Sequence, residues 1–292
     1  MKTDLLRYLT IGTSDEDWGI VVSTVGYQFI PPQGQYPLSK HPDSHNFKPQ
    51  NGRILKEYQL VYITKGSGYF SSQSCKMQKV EAGTMILLFP DEWHSYYPDT
   101  NTGWDEYWVG FRGPHIDRRV ERSFFTKEEP LHHIGLSATI VGLYNDIIKF
   151  SAEEKSGYQQ MISSIVLHIL GTVYYKKRNQ SFTNTYVVDK INEARILMKE
   201  YVENPLSPEE IAAKLGLGYS WFRRMFKEYT GVSPAQYQHQ QRLLKAKELL
   251  TGSAMNISEI AYCLRFENAG QFSTFFKKKE GITPSEFRER AH

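Results

Sequence analysis

From about residue 19 to residue 111 the apolar positions fall in short runs cut by glycine and proline. Residues 58–64, Tyr-Gln-Leu-Val-Tyr-Ile-Thr, meet Lys65-Gly66-Ser67-Gly68 and resume at Tyr69-Phe70, the pattern of a strand, a glycine turn and a second strand. Glu81-Ala82-Gly83-Thr84 turns into a run over 85–89 stopped by Pro90, and another run covers 107–111. Short strands at this spacing predict a small barrel or sandwich. After about residue 135 the apolar period changes from two to 3.6. Ile140, Tyr144, Ile147 and Ile148 mark one amphipathic helix; Met161, Ile165, Val166, Ile169, Leu170 and Val173 mark a second. Both suit packing on the barrel, and the second seam also suits pairing with its copy in a homodimer. Residues 176–185 are polar and without period, which predicts a linker, and all that follows is helical.

The helical end contains one unit written twice. Glu210-Ile211-Ala212 returns as Glu259-Ile260-Ala261, an offset of 49. Phe222, Phe226-Lys227, Gly231, Ser233-Pro234 and Tyr237 return as Phe272, Phe276-Lys277, Gly281, Thr283-Pro284 and Phe287, an offset of 50, so one residue is inserted in the second turn. Ser207, Pro208 and Glu210 form a helix-start signal, which Asn256 and Glu259 repeat. Ala212 and Ala261 allow a close helix crossing, while the phenylalanines at i and i+4 give the next helix a core face. Gly231 and Gly281 are helix stops. Each unit is a helix-turn-helix, and residues 234–250 predict a helix joining the two. Recognition helices held this way suit successive major grooves roughly 34 Å apart.

Composition changes this picture little. The 292 residues, 40% hydrophobic and 23% charged, suit two soluble domains. No apolar run reaches the roughly 18 residues of a membrane span, and residues 1–10 lack a signal-peptide core, so a cytoplasmic protein without a membrane partner is expected. Cys75 and Cys263 fall in different predicted domains, which suggests neither a disulfide framework nor a thiolate metal site. Residues 1–180 carry 19 basic and 19 acidic side chains and residues 181–292 carry 16 and 13, so the net charge of +3 lies wholly in the repeated half. An excess of three does not by itself establish a nucleic-acid partner.

These residues resemble the AraC/XylS family of bacterial transcription regulators over nearly the whole chain. The repeated unit carries most of the resemblance. Tyr62-Ile63-Thr64-Lys65-Gly66-Ser67-Gly68, Ala82-Gly83-Thr84, Phe89-Pro90-Asp91-Glu92-Trp93-His94 and residues 104–111 resemble the cupin-like effector domain more loosely. The resemblance implies an α+β multidomain fold: an N-terminal cupin-like β-barrel with flanking helices, then an all-α domain with two helix-turn-helix units. The expected bounds are 1–135 for an N-terminal arm and effector domain, 136–178 for a helical dimerisation segment, 179–187 for a linker and 188–292 for the DNA-binding domain. Expected partners are double-stranded DNA, a small-molecule effector, a second copy of the chain and RNA polymerase; no cofactor is implied.

Similarity to the family's base-contacting positions points to Ser220, Arg223 and Arg224 in the first recognition helix. Arginine reads guanine O6 and N7 bidentately, with phosphate binding as each arginine's alternative role. The matching positions of the second unit are Ala269, Gly270 and Thr274, whose side chains are small. Asn268 and Gln271 suit adenine there, Ala269 or Thr274 a thymine methyl, and Lys277, Lys278 and Lys279, with Lys227 in the first unit, the backbone. Family matches favour glycine before Phe266, where this chain has Arg265. The first unit is therefore expected to carry specificity and the second affinity.

A barrel lined by Tyr62, Tyr96, Trp104, Tyr107 and Trp108 suits a sugar, whose C–H faces stack on aromatic rings; the same aromatics equally suit a plain core. Resemblance to sugar-responsive members directs attention to Lys65, His94, Tyr96, Glu106 and Trp108. An apolar effector or a protein partner stays open. A metal-dependent cupin enzyme needs closely paired histidines, whereas His94 stands alone, His132 and His133 point apart, and His41 and His45 lie in a Pro-rich loop; no enzyme activity is expected. Effector-independent DNA binding is a third reading, against which the β-rich half argues. The expected mechanism is that effector binding changes how residues 1–50 or the helices of 140–173 contact the rest of the chain.

Overall fold

The computed structural model describes residues 4–36, 51–180 and 185–291. The chain divides into two compact units, Met1–Ser181 and Phe182–His292. The elements of the first are β1 (Leu5–Tyr8), α1 (Thr13–Glu16), β2 (Val21–Ile30), β3 (Arg53–Ile54), β4 (Tyr58–Ser72), β5 (Gln78–Glu81), β6 (Thr84–Leu88), β7 (Trp93–Pro98), β8 (Trp104–Arg112), α2 (Pro114–Glu121), β9 (Leu131–His133), α3 (Ala138–Glu153) and α4 (Tyr158–Gln180). One sheet runs β1-β2-β8-β4-β6-β9. Strands β3, β5 and β7 form a second through the far half of β4, and all pairings are antiparallel.

Strand β4 joins the two sheets. Over Gln59–Tyr62 it pairs with β6 and as far as Gly66 with β8, and from Ser67 it pairs with β5 and from Gly68 with β7. Its register against β8 shifts between Ile63 and Lys65, a bulge that re-aims the strand. Gly66 sits in the bend at φ +78°, where a Cβ would come within 2.0 Å of the Gly103 carbonyl oxygen, so only glycine fits. Residues 65–68, expected as a turn, are thus a bend inside one strand, because both halves find partners.

Alternation along the strands builds two cores. Outward residues, among them Tyr58, Leu60, Tyr62, Tyr107 and Val109, pack with Ile140, Tyr144, Ile147, Ile162, Val166, Ile169 and Val173 of α3 and α4. Inward residues, among them Ile30, Val61, Ile63, Phe70, Ile86, Tyr96, Trp104 and Trp108, fill the barrel. The Tyr144 hydroxyl donates to Leu60 O at 3.0 Å. Gln159 docks α4 on β2, its Nε2 donating to Val22 O at 3.0 Å and its Oε1 accepting from Val22 N at 3.1 Å. The helices therefore pack on the sheet, with Met161 alone of the expected seam facing outward, 46% exposed. Helix α4 continues through residues 176–180, which the polar composition had marked as linker. Lys176 Nζ donates to Ile134 O at 2.8 Å and Lys177 pairs with Glu129 at 2.5 Å, so these polar side chains belong to a helix end lying along β9. Residues 181–184 lie outside the described residues. No helix among the described residues is long and apolar enough to cross a membrane.

The second unit consists of α5 (Thr185–Glu200), α6 (Pro208–Lys214), α7 (Tyr219–Thr230), α8 (Pro234–Gly252), α9 (Ile257–Cys263), α10 (Ala269–Glu280) and α11 (Pro284–Ala291). The starts of α6, α8 and α9 carry the reciprocal capping bonds that Ser207–Glu210, Ser233–Gln236 and Asn256–Glu259 make possible. Gly231 and Gly281 end α7 and α10 in the left-handed conformation, at φ +82° and +79°. One core gathers Ile191, Ala194, Ile211, Ala212, Phe222 and Phe226; the other gathers Ala246, Leu250, Ile260, Ala261, Phe272 and Phe276. Helix α8 reaches both, since Tyr237 stacks edge-on against Phe226 at 5.5 Å while Ala246 and Leu250 lie in the second core. Arg242 of α8 donates to Leu264 O at 2.6 Å and covers the Phe266 ring at 4.0 Å.

Candidate functional site

Burial of Phe222 and Phe226 on one side of α7 leaves Ser220, Arg223, Arg224 and Lys227 exposed on the other. Neither Arg223 nor Arg224 has a hydrogen bond or ion pair among the described residues, so both guanidinium forks are available to a ligand. On α10 the same alternation exposes Gly270, Gln271, Thr274, Lys277, Lys278 and Lys279. Two residues there are already engaged. Asn268 is the helix N-cap, its Oδ1 accepting from Gln271 N at 2.8 Å, and Gln271 Oε1 accepts from Glu267 N at 3.0 Å. Bidentate reading of adenine needs both oxygen and nitrogen of the amide, so either residue would have to give up its bond. Ala269 is half-buried against the second core, which turns it away from the open face.

The two turns differ where the repeat offset changes. In the first, Gly216 stands at φ +69° and Gly218 begins α7. In the second, Arg265 takes the Gly216 position at φ +55° and the extra residue lets Asn268 become the cap.

In the barrel, the structure separates the five expected effector residues. His94, Tyr96, Glu106 and Trp108 are buried and face inward. Lys65 is exposed and pairs in register with Asp105 on the outer side of the sheet, because the bulge before it changes the phase of the strand. Tyr62 and Tyr107 also leave the expected lining. They lie opposite each other on the outer face against α3, and the Tyr62 hydroxyl donates to Gly135 O at 2.8 Å and accepts from Ser137 N at 2.9 Å. Trp108 is accommodated by Gly26 across the strand, where a Cβ would meet the indole at 2.2 Å.

The organiser of the interior is a residue that sequence reading missed. Arg53 donates from Nη2 to the Tyr96 hydroxyl at 2.7 Å and to Gln59 Oε1 at 3.5 Å, and from Nε to His94 Nε2 at 3.4 Å. With Nδ1 donating to Glu92 O at 3.1 Å, His94 is held neutral. Burial, reinforced by the Arg53 charge, lowers its pKa to about 3. Burial raises the Tyr96 hydroxyl to about 12 and the Glu106 carboxyl to about 8, each opposed by the Arg53 charge. Arg53 sits on a two-residue strand with no periodicity, and no signal marked it. Gln28 and Gln59 were legible in principle, as single polar residues inside apolar runs that face inward by alternation.

Three side-chain atoms of this interior have no hydrogen-bond partner among the described residues: Gln28 Nε2, Trp104 Nε1 and Glu106 Oε2. A concavity of about 590 Å³ lies instead over the opposite side of β7, lined by Trp93, Ser95, Tyr97 and Tyr36. It contains none of the five candidates, and the unpartnered atoms make the interior the better site. No three His, Cys, Asp or Glu side chains group for a metal among the described residues. His132 is buried and His133 exposed; His41 and His45 lie outside the described residues.

Comparison with known proteins assigns both halves. Residues 32–170 match the AraC-like ligand binding domain and residues 211–290 match a helix-turn-helix domain. The chain is similar to the Msm operon regulatory protein of Streptococcus mutans, with 25% identity over 81% of this chain and 85% of that one. It is also similar to the lactose operon transcription activator of Staphylococcus xylosus, 25% identical over 82% and 86%. The raffinose operon transcriptional regulatory protein of Pediococcus pentosaceus is 22% identical over 84% and 89%.

Proposed function

Because the chain belongs to the AraC family of transcription regulators, we propose that it reads DNA mainly through α7 under the control of a carbohydrate bound inside the barrel. The exposed pair Arg223 and Arg224, without hydrogen bond or ion pair among the described residues, carries the first part of this reading. On α10 the matching side chains are small, half-buried or engaged in capping, so that helix contributes affinity through Lys277, Lys278 and Lys279. The carbohydrate part rests on inward aromatics beside unpartnered polar atoms and on relatives that regulate lactose and raffinose operons.

The regulator acts as a homodimer in this reading. Helix α4 turns Met161, Ser164, His168, Gly171 and Tyr175 outward at three- and four-residue spacing, a stripe suited to a second copy. RNA polymerase completes the set of partners. The test is binding of the full chain to duplex DNA with and without a panel of sugars, lactose and raffinose among them. A several-fold change in DNA affinity with one sugar supports the proposal, and a DNA affinity indifferent to every sugar refutes the carbohydrate part.

A further inference from the structure

The two turns of the repeated unit share their backbone bonds and differ in one side chain. In the first, Gly216 N donates to Ala213 O at 3.0 Å and Leu217 N to Ala212 O at 2.9 Å; in the second, Arg265 N donates to Tyr262 O at 3.0 Å and Phe266 N to Ala261 O at 2.9 Å. Gly216 makes the turn at φ +69° and Arg265 at φ +55°, a conformation that costs a residue with a Cβ free energy that glycine avoids. The turn therefore does not require the arginine. Nor does the fold use its side chain: the exposed guanidinium has no hydrogen bond or ion pair among the described residues, and the Tyr262 ring that it faces at 6.0 Å is itself 75% exposed. Strain of this kind persists where the surroundings over-determine it, and here they do. Arg242 of α8 donates to Leu264 O on one side of Arg265 and covers the Phe266 ring on the other. Phe266 in turn packs against Phe272 and Phe275 of α10 at 5.3 and 5.2 Å. Arg265 is thus an exposed cation presented by a rigid turn.

We propose that Arg265 binds a DNA phosphate and, with Lys277, Lys278 and Lys279, lets α10 bridge the two backbones that wall the major groove. A helix-turn-helix puts the N-terminal residues of its second helix at base edges. Arg265 lies three residues ahead of Asn268, the N-cap of α10, whereas the lysines lie in the last turn of that helix. The 12 residues of α10 span roughly 18 Å, and the major groove is about 12 Å wide, so cations at its two ends meet phosphates of opposite strands. The contact supplies affinity where the reading side chains of α10 are small. It rests on the second unit lying on DNA, and it holds whichever unit carries the base discrimination.

The test is DNA binding by the full chain and its Arg265→Gly, Arg265→Asn and Arg265→Lys variants across a salt series. The probes are a duplex that the wild type selects from a random-sequence pool and a scrambled duplex of the same length. Glycine removes strain and charge together, asparagine removes the charge while tolerating the left-handed conformation, and lysine keeps the charge. Arg265→Gly and Arg265→Asn should bind both duplexes about three- to tenfold more weakly and lose about one from the slope of log affinity against log salt. Arg265→Lys should stay within about twofold of the wild type and keep the slope. Since Arg265→Gly should unfold at a higher urea concentration than the wild type, its weaker binding would not come from unfolding. Unchanged affinity and slope in both neutral variants would overturn the contact, as would an equal loss in Arg265→Lys, a loss confined to the selected duplex, or a lower urea midpoint of Arg265→Gly. A wild type that binds the selected and scrambled duplexes equally would overturn sequence reading by α7 and leave the phosphate contact standing; one that binds neither would overturn both.

Discussion

Arg265 stands where the turn of a helix-turn-helix favours glycine, at φ +55°. The left-handed conformation costs a residue with a Cβ roughly 1–2 kcal/mol, against which the cation–π contact with Tyr262 at 6.0 Å returns only part. Arg265→Gly should therefore stabilise the helical unit by about 0.5–1 kcal/mol, read from its transition in urea denaturation. Glu106 stores free energy in a different form. Its carboxyl keeps its proton up to about pH 8, against an ordinary value of 4.5. The folded unit thus binds more protons than the unfolded chain between those values, and stability falls as pH rises through the window. His94 and His132 act oppositely. Lowered by burial to about 3 and about 4 from 6.5, they favour the fold increasingly up to pH 6.5 and add nothing further above it. Between pH 6.5 and 8 Glu106 acts alone among these groups. The barrel unit should lose about 1–2 kcal/mol across that interval, and Glu106→Gln should flatten the loss; thermal melts at a series of pH values read both.

Helix ends carry much of the order in the second unit. The Asn256 cap, accepting from Glu259 N at 2.9 Å while Glu259 returns a bond to Asn256 N at 2.7 Å, should cost about 1 kcal/mol when changed to alanine, measured by denaturation of the full chain. The reading element itself is α7. If Arg223 or Arg224 reads guanine, its alanine variant loses about 1–3 kcal/mol of discrimination at one base pair. If it only holds phosphate, affinity falls uniformly across sequences and the salt slope drops by about one. The elements of this unit were legible from sequence because each cap, stop and buried phenylalanine lies within a few residues of its partner. Legibility failed where partners are distant. Residues 65–68 look like a turn until β5 and β7 pair with the strand beyond them, and residues 176–180 look like a linker until β9 lies beside them.

At the scale of the whole molecule, the same division between near and far governs what the sequence revealed of the sites. Ser220, Arg223 and Arg224, to which the family resemblance pointed, lie with Lys227 on one helix, α7, and are exposed there. The barrel interior draws on β2, β3, β4, β7 and β8, so Arg53 became visible only when the strands closed, and Lys65 left the site through a single bulge. The chain combines two helix-turn-helix units that differ in their exposed side chains with a barrel whose interior buries polar atoms that have no hydrogen-bond partner among the described residues. The most direct test is a base-substitution binding scan of the full chain on its preferred duplex, repeated with Arg223→Ala and Arg224→Ala. Discrimination should concentrate in the segment under α7 and fall with those substitutions, leaving a weaker, salt-sensitive, sequence-tolerant affinity supplied by α10. Stronger discrimination under α10, or a base preference unchanged in both variants, would contradict the division of labour between the two units.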